Sequence, residues 1–308
     1  MTDARRTALL AIDWGTTSAR AYRLDAAGTV LAQRDAPLGI LSVRDRRFDG
    51  ALDALLGDWR GDAVPRIACG MIGSRQGWCE APYLECPADL AGLGGVLTRT
   101  PGGELAIVPG ARCVDAAGVP DVMRGEETQI AGALTREEDR VLAVLPGTHS
   151  KWAMVEHGRL ARFATFMTGE LYAVLLQHTI LGRMAEQRRG PAAAGEKFAR
   201  GVARGLGEGG FAHLVFGART LALSGELAPA EVSDWLSGVL IGHEIRAALA
   251  WAKACGGDGE RVLAIGADAI VARYVAALAQ AGVDAELGPP DAAARGLFRV
   301  ARSAGLVH

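Results

Sequence analysis

The pattern of apolar and polar positions predicts a strand-rich start. Ala8-Leu9-Leu10-Ala11-Ile12 runs into Asp13, the chain turns through Gly15-Thr16-Thr17-Ser18, and a second strand-like run reaches Leu24. After the turn signal Asp25-Ala26-Ala27-Gly28, Thr29 to Gln33 completes a three-stranded antiparallel meander. Leu52, Leu55, Leu56 and Trp59 share one helical face, predicting a helix over 49–60. A short strand, 66–70, opens into the loop Met71-Ile72-Gly73-Ser74-Arg75-Gln76-Gly77-Trp78. Residues 79–103, punctuated by Pro82, Pro87 and Pro101, read as loop with a short helix near 87–93. A buried strand follows at 105–108. The segment from Pro120 starts polar and acidic and passes into an amphipathic helix ending near Leu134.

The second half repeats this beginning. Val141 to Leu145 closes on Pro146-Gly147-Thr148-His149-Ser150-Lys151, continues as Trp152-Ala153-Met154-Val155, turns at Glu156-His157-Gly158 and runs on through 159–166. Apolar strand, Gly-Thr turn, strand, Gly turn, strand is the order of 8–34, so the pattern of elements predicts an internal duplication. Thr168-Gly169-Glu170 opens a helix extending to about Arg188. Helical segments are predicted at 197–204 and within 228–254, with Trp235, Val239, Leu240 and Ile245 in the apolar set of the latter. Beyond the Gly-rich turn 255–259, the strand 261–265 ends in Gly266-Ala267-Asp268 and a helix over 269–281. Pro289-Pro290-Asp291 caps a last helix, 291–304.

A length of 308 residues, half of them hydrophobic, suits two domains with sizeable cores. A net charge of -2 and a pI near 6.3 exclude the basic field that nucleic acid requires. No apolar run of about 18 residues and no signal-like start is found, so a cytoplasmic protein with no membrane partner is expected. The five cysteines, Cys69, Cys79, Cys86, Cys113 and Cys255, form neither C-x-x-C pairs nor a Cys/His cluster. Reduced thiols, rather than a disulfide framework or a zinc site, are expected.

Four stretches could carry chemistry. In the first turn, Gly15 lets the backbone approach an anion and the hydroxyls donate to it, while Asp13 would hold a metal ion or its waters. The same residues equally suit an ordinary hairpin. The loop at 71–78 lies at a strand's carboxyl end, where α/β sheets collect ligands. Glu126 and Glu127 open a helix, where negative charge also offsets the helix dipole. Gly266-Ala267-Asp268 could receive a nucleotide's base or ribose, or form a tight strand-to-helix turn. Three apparent motifs fail. Gly190 and Gly195 have Walker A spacing, but Glu196 stands where lysine should be. Gly205, Gly207 and Gly210 follow a helix rather than a strand. His243-Glu244 meets Ala247 instead of a second histidine. These histidines are expected to be packing or surface residues.

Taken in order, the turn after Asp13, the acidic helix start at Glu126, the second Gly-Thr turn at Gly147 and the Gly-small turn at Gly266 resemble the superfamily of sugar kinases, hexokinase, actin and heat-shock ATPases. Asp13-Trp14-Gly15-Thr16-Thr17 resembles its first phosphate motif, Leu145 to Lys151 stands in place of the second, and Ile265 to Asp268 in that of the adenosine motif. Ile12 to Ala21, Gly70-Met71-Ile72-Gly73-Ser74, Met123-Arg124-Gly125-Glu126-Glu127-Thr128-Gln129 and Pro146 to Trp152 resemble the 2-dehydro-3-deoxygalactonokinases in particular. The resemblance spans most of the chain. It implies an α/β fold of two ribonuclease-H-like domains, 1–124 and 125–308, with mixed sheets flanked by helices and an ATP cleft between them.

The activity implied is transfer of the γ-phosphoryl of ATP, with Mg²⁺, to the 6-hydroxyl of 2-dehydro-3-deoxy-D-galactonate. By resemblance the catalytic residues are Glu127, with Glu126 as alternate, and Asp13, which serves the metal. Relatives usually carry Asp at the base position, so glutamate is a departure. The implied nucleotide residues are Gly15, Thr16, Thr17, Ser18, Gly147, Thr148, His149, Ser150, Lys151, Gly266, Ala267 and Asp268. For the sugar acid, Arg20, Arg75 and Arg124 are candidates at the carboxylate, because guanidinium pairs bidentately with it. Gly73, Ser74, Trp78 and Glu170 complete the expected pocket. Whether the chain forms a homo-oligomer stays open. The competing readings are a hexose or keto-deoxy-gluconate kinase, or a sugar-responsive ATPase or binding protein. The regulators of that class usually add an N-terminal helix-turn-helix, whereas here the first strand begins by Ala8.

Overall fold

A computed structural model of the chain describes residues 6–134, 140–186, 194–257 and 260–308; Arg188, Gly190 and Gly259 lie outside them, and the helix expected to reach about Arg188 already ends at His178. The chain divides into two compact units. The first comprises 1–139, 155–162 and 291–308, the second 140–154 and 163–290. Within the first unit the acidic-start helix and the C-terminal helix pack together.

In the first unit the expected meander forms as β1 (Leu9–Trp14), β2 (Ala19–Leu24) and β3 (Val30–Ala36). Helix α1 (Phe48–Leu56) follows, and its Trp59 extension is a 3-10 turn. Phe48, Leu52, Leu55, Leu56 and Trp59 bury the predicted face against Leu10, Ile12 and Trp14 of β1. Strand β4 (Arg66–Gly70) lies parallel to β1, setting Asp13 opposite Cys69 and Trp14 opposite Gly70. Where a helix was expected near 87–93, the chain forms β5 (Tyr83–Glu85), β6 (Ala88–Asp89) and a 3-10 turn over Ala91–Val96. Then come β7 (Thr98–Arg99), β8 (Ala106–Ile107), β9 (Gly110–Val114) and β10 (Pro120–Met123). The main sheet has the order β3-β2-β1-β4-β8-β7, and β10-β9-β5 form a second.

Helix α2 (Glu126–Ala133) carries the paired glutamates. The second unit contains β11 (Arg140–Leu145), and β12 (Ser150–Glu156) and β13 (Arg159–Phe166) run through both units. Among the described residues four helices follow: α3 (Thr168–His178), α4 (Glu196–Leu206), α5 (Phe211–Leu223) and α6 (Pro229–Ala254). Next are β14 (Arg261–Ala264), α7 (Asp268–Gln280) and β15 (Ala285–Leu287), and α8 (Ala292–Ser303) ends the chain. The region 228–254, expected as helical turns before a longer helix, is one continuous helix.

The sheet of the second unit runs β15-β14-β11-β12-β13, with β14 parallel to β11 and to β15. A meander followed by two parallel strands is also the order β3-β2-β1-β4-β8, so the strand orders repeat as the duplicated pattern predicts. Close helix packing explains one failed motif. On α4, a side chain on Gly205 would start 2.2 Å from the Val239 carbonyl of α6, so that glycine serves helix approach rather than a phosphate. The first unit uses the same device: a Cβ on Gly296 of α8 would lie 1.9 Å from the Thr128 carbonyl of α2. Arg299 of α8 also donates to the carbonyls of Ala131 and, at 2.8 Å, Leu134, satisfying the carboxyl end of α2. The helix bearing Glu126 and Glu127 is thus fixed along its length.

Candidate functional site

The first cluster lies wholly within the first unit. The turn after β1 closes with the Gly15 N–H donating to the Ser18 carbonyl at 2.9 Å, while Ile40 and Leu41 donate to the carbonyls of Gly15 and Thr16. Thr16, Thr17 and Ser18 are exposed at the tip. At the base of the turn, one Asp13 oxygen is 3.8 Å from the Cys69 thiol and the other 3.5 Å from the Gln129 amide. These are long contacts for a carboxylate. Burial pushes Asp13 up to about 6; Arg20 opposes that shift and the charge of Glu126 adds to it.

Gly125 leads from β10 into α2 and lies against the end of β4. Its φ of +109° excludes ordinary side chains, and a Cβ there would meet Gly70 Cα at 3.0 Å. The Gly125 N–H donates to both oxygens of Glu127, at 3.0 and 2.7 Å, and the Thr128 hydroxyl donates at 2.9 Å. Glu127 is only 1% exposed, and burial, with the charge of Glu126, pushes it up to about 7. Glu126 is less buried and accepts from the Arg124 N–H at 3.0 Å.

The predicted substrate residues differ sharply in setting. Arg75 is exposed. Arg20 pairs with Asp35 at 2.5 Å on the neighbouring strand. Arg124 is buried at 8% exposure, donates to the Ala81 carbonyl at 2.8 Å and lies 4.2 Å over the Tyr83 ring. Gly73 packs against the Arg124 guanidinium and Ile107. The Ser74 hydroxyl accepts from the Gly77 N–H, and Trp78 stacks on Phe48. These contacts brace the 71–78 loop from below.

The second cluster belongs to the second unit. Gly147, Thr148 and His149 are exposed where β11 ends, and Gly266, Ala267 and Asp268 where the adjacent parallel β14 ends. The turn at Gly266 abuts the Pro146 carbonyl, 3.7 Å from where a Cβ would stand. Glu170 belongs here and pairs with His149 at 2.6 Å, while its N–H donates to the Thr148 carbonyl. Ser150 and Lys151 are buried, the Lys151 ammonium donating to the His149 carbonyl at 3.3 Å. A cavity of about 1100 Å³ opens beside the turn, lined among others by Gly147, Thr148, Thr168, Gly169, Arg273 and Tyr274. Gly266, Ala267 and Asp268 are not among its lining residues; α7 contributes through Ile270, Arg273 and Tyr274.

Residues outside the sequence expectations join both clusters. Gln129 and Cys69 flank Asp13, and Gln129 was visible only as the end of the Glu-Glu-Thr-Gln run. Beneath the second turn, Glu244 accepts from the Trp152 indole and the Tyr274 hydroxyl, both at 2.7 Å. His243 beside it is partly buried and meets the Phe211 ring edge-on, as a packing residue. Among the described residues no helix is long and apolar enough to cross a membrane.

Comparison with known proteins adds the family. The profile of the 2-keto-3-deoxy-galactonokinases matches residues 13–300. A Rhizobium meliloti (strain 1021) protein named "Probable 2-dehydro-3-deoxygalactonokinase DgoK1" is 38% identical over 95% of this chain and 96% of its own. The 2-dehydro-3-deoxygalactonokinase of Escherichia coli (strain K12) is 37% identical over 77% of this chain and 78% of its own. The solved structure of a Sinorhizobium meliloti protein described as "a putative 2-dehydro-3-deoxygalactonokinase protein" superposes with a TM-score of 0.86, covering 96% of each chain. At the level of fold alone, the activator of 2-hydroxyisocaproyl-CoA dehydratase from Clostridium difficile, solved with ADPNP, gives a TM-score of 0.51 at 13% identity. With its sequence matched from Asp13 to Val300, this chain belongs to the 2-keto-3-deoxy-galactonokinase family.

Proposed function

We propose that Glu127 is the base in phosphoryl transfer from ATP to the 6-hydroxyl of 2-dehydro-3-deoxy-D-galactonate. The family makes the chain a sugar-acid kinase of galactonate catabolism; the residue roles are our reading. One observation carries it: the Glu127 carboxyl is pushed up to about 7 while backbone and hydroxyl donors hold it in place. A base titrating near neutral pH combines availability with proton affinity. Glu127 would take the hydroxyl proton as that oxygen bonds to the γ-phosphorus. The bond from phosphorus to the bridging oxygen breaks, and ADP leaves. Glu126, on the same first turn, is the alternate.

The residues around Asp13 fit a magnesium ion. Its oxygens have only long contacts, and its charge is under-compensated by its surroundings. Among the described residues no group of three or more His, Cys, Asp or Glu side chains gathers to hold a metal. Mg²⁺ in kinase sites needs only one or two carboxylates beside the substrate phosphates. Asp13 would hold it directly or through waters. Mg²⁺ bound there would neutralise charge on the phosphate oxygens.

The turns Gly15–Ser18 and Gly147–Lys151 would hold phosphates and Gly266–Asp268 the adenosine. The exposed tips of these turns support this, and for the second turn so does the cavity beside Gly147 and Thr148, with Ser150 and Lys151 acting from beneath. His149 would act together with Glu170. The substrate's carboxylate is assigned to Arg75, Arg20 and Arg124, of which Arg75 is the most accessible, and Gly73, Ser74 and Trp78 shape that loop. The repeated strand order supports two ribonuclease-H-like domains of the actin-like ATPase plan. The setting we assign is the cytoplasm, where the five cysteines would stay reduced. A substrate panel tests the reading: with MgATP, ADP should be released only when a 2-keto-3-deoxy acid is present. Equal release with glucose, or without sugar, would overturn it.

A further inference from the structure

We infer that Glu244 is a positioning residue that holds the second phosphate turn in its nucleotide-binding geometry. The inference rests on the reading that this turn binds the phosphates of ATP. Glu244 lies on α6 at 2% exposure, among the buried apolar residues Leu240, Ile241, Ile245 and Ala248. An isolated carboxylate in such surroundings is costly to bury. Here two side chains donate to it, the Trp152 indole and the Tyr274 hydroxyl, both at 2.7 Å. With its own proton on Glu244, the Tyr274 oxygen accepts in turn from the Ser150 hydroxyl at 2.9 Å.

These residues come from two elements beside the turn, with the start of α3 packed against them. Ser150 and Trp152 begin β12, two and four residues after Thr148. Thr168 is the first residue of α3, whose Gly169 packs so closely that a Cβ would lie 2.4 Å from the Gly147 carbonyl. Tyr274 belongs to α7 and, with Thr168, lines the cavity beside Gly147 and Thr148. One carboxylate therefore ties the strand leaving the turn to the wall of its cavity. An apolar residue of similar volume would bury here at lower cost, since buried charges commonly stabilise less than well-packed hydrophobic substitutes. What such a residue could not supply is a single arrangement of Trp152, Tyr274 and the Ser150 behind it. A satisfied polar network of this kind fixes geometry. The Glu of the failed His243-Glu244 motif thereby acquires a role unconnected with zinc.

The test is calorimetric titration of MgADP into the full chain for the parent, Glu244→Gln and Tyr274→Phe, with steady-state kinetics alongside. Glu244→Gln should raise the Kd for ADP and the KM for ATP by about tenfold, with the KM for the sugar acid unchanged. Tyr274→Phe, which removes one donor, should shift both in the same direction by a smaller factor. If Glu244→Gln does not fold, Tyr274→Phe decides alone. A lower Tm with unchanged ADP affinity in the folded variants would make the role merely structural and overturn the inference. A parent that binds no ADP would instead overturn the nucleotide reading beneath it.

Discussion

Replacing Glu127 by glutamine should lower kcat roughly a hundred- to ten-thousand-fold, the range general bases contribute, with ADP affinity nearly unchanged. Glutamine preserves the size of the side chain and an acceptor for the Gly125 N–H and the Thr128 hydroxyl, but it cannot take a proton. Stability should move the other way. Glu127 is raised from 4.5 to about 7, so between those values the folded state binds more protons than the unfolded state and stability falls as pH rises. The cost, fully developed above about 7, is on the order of 3 kcal/mol. Glutamine carries no such cost, and at about pH 8 its Tm should equal or exceed the parent's. If Glu126→Gln abolishes turnover while Glu127→Gln does not, the two roles must be exchanged.

The second large effect is expected at Asp13. Asp13→Asn keeps the shape of the side chain and its contact with Gln129 but removes the negative charge offered to a dication. Turnover should fall, and the Mg²⁺ concentration for half-maximal rate should rise, by about ten- to a hundredfold, the scale of outer-sphere losses at metal sites. ADP binding measured without metal should change little. The paired readout separates a metal role from a structural one. An unchanged Mg²⁺ requirement would remove Asp13 from that role, whatever happened to kcat.

Both carboxylates were legible as residues, because each stands at the junction of an apolar strand or helix with a glycine turn. Their environments were not. Nothing in Arg-Gly-Glu-Glu-Thr indicates that the first glutamate is less buried while the second folds back onto the Gly125 N–H. The meanders β1–β3 and β11–β13 were legible because apolar runs alternate with Gly turns. By contrast β9 and β10, where Arg112, Pro120 and Asp121 interrupt the apolar pattern, were hidden: that small sheet has exposed positions, among them Val114 and Val122. Helix α5 carries Leu214, Val215 and Ala218 at helical spacing, a signal the expectations did not include. The short helix expected from Pro87 to Leu93 was lost to pairing of Ala88 and Asp89 with Leu160 and Arg159, a tertiary contact that local propensity cannot reveal. Glu244 illustrates the same limit. Its partners lie 92 and 30 residues away along the chain, and no local pattern records them.

The pH dependence of kcat under saturating MgATP and sugar acid tests the role of Glu127 most directly. The groups facing it are Glu126, Cys69 and the Thr128 hydroxyl. Cys69 is pushed well above its ordinary range by burial and by the charges of Asp13 and Glu127, and it stays a thiol throughout. Activity should therefore decline tenfold per pH unit below an apparent pKa of about 7, and the residual activity of Glu127→Gln should lose that decline. A parent profile flat through neutrality, or the same decline persisting in Glu127→Gln, would contradict Glu127 as the base.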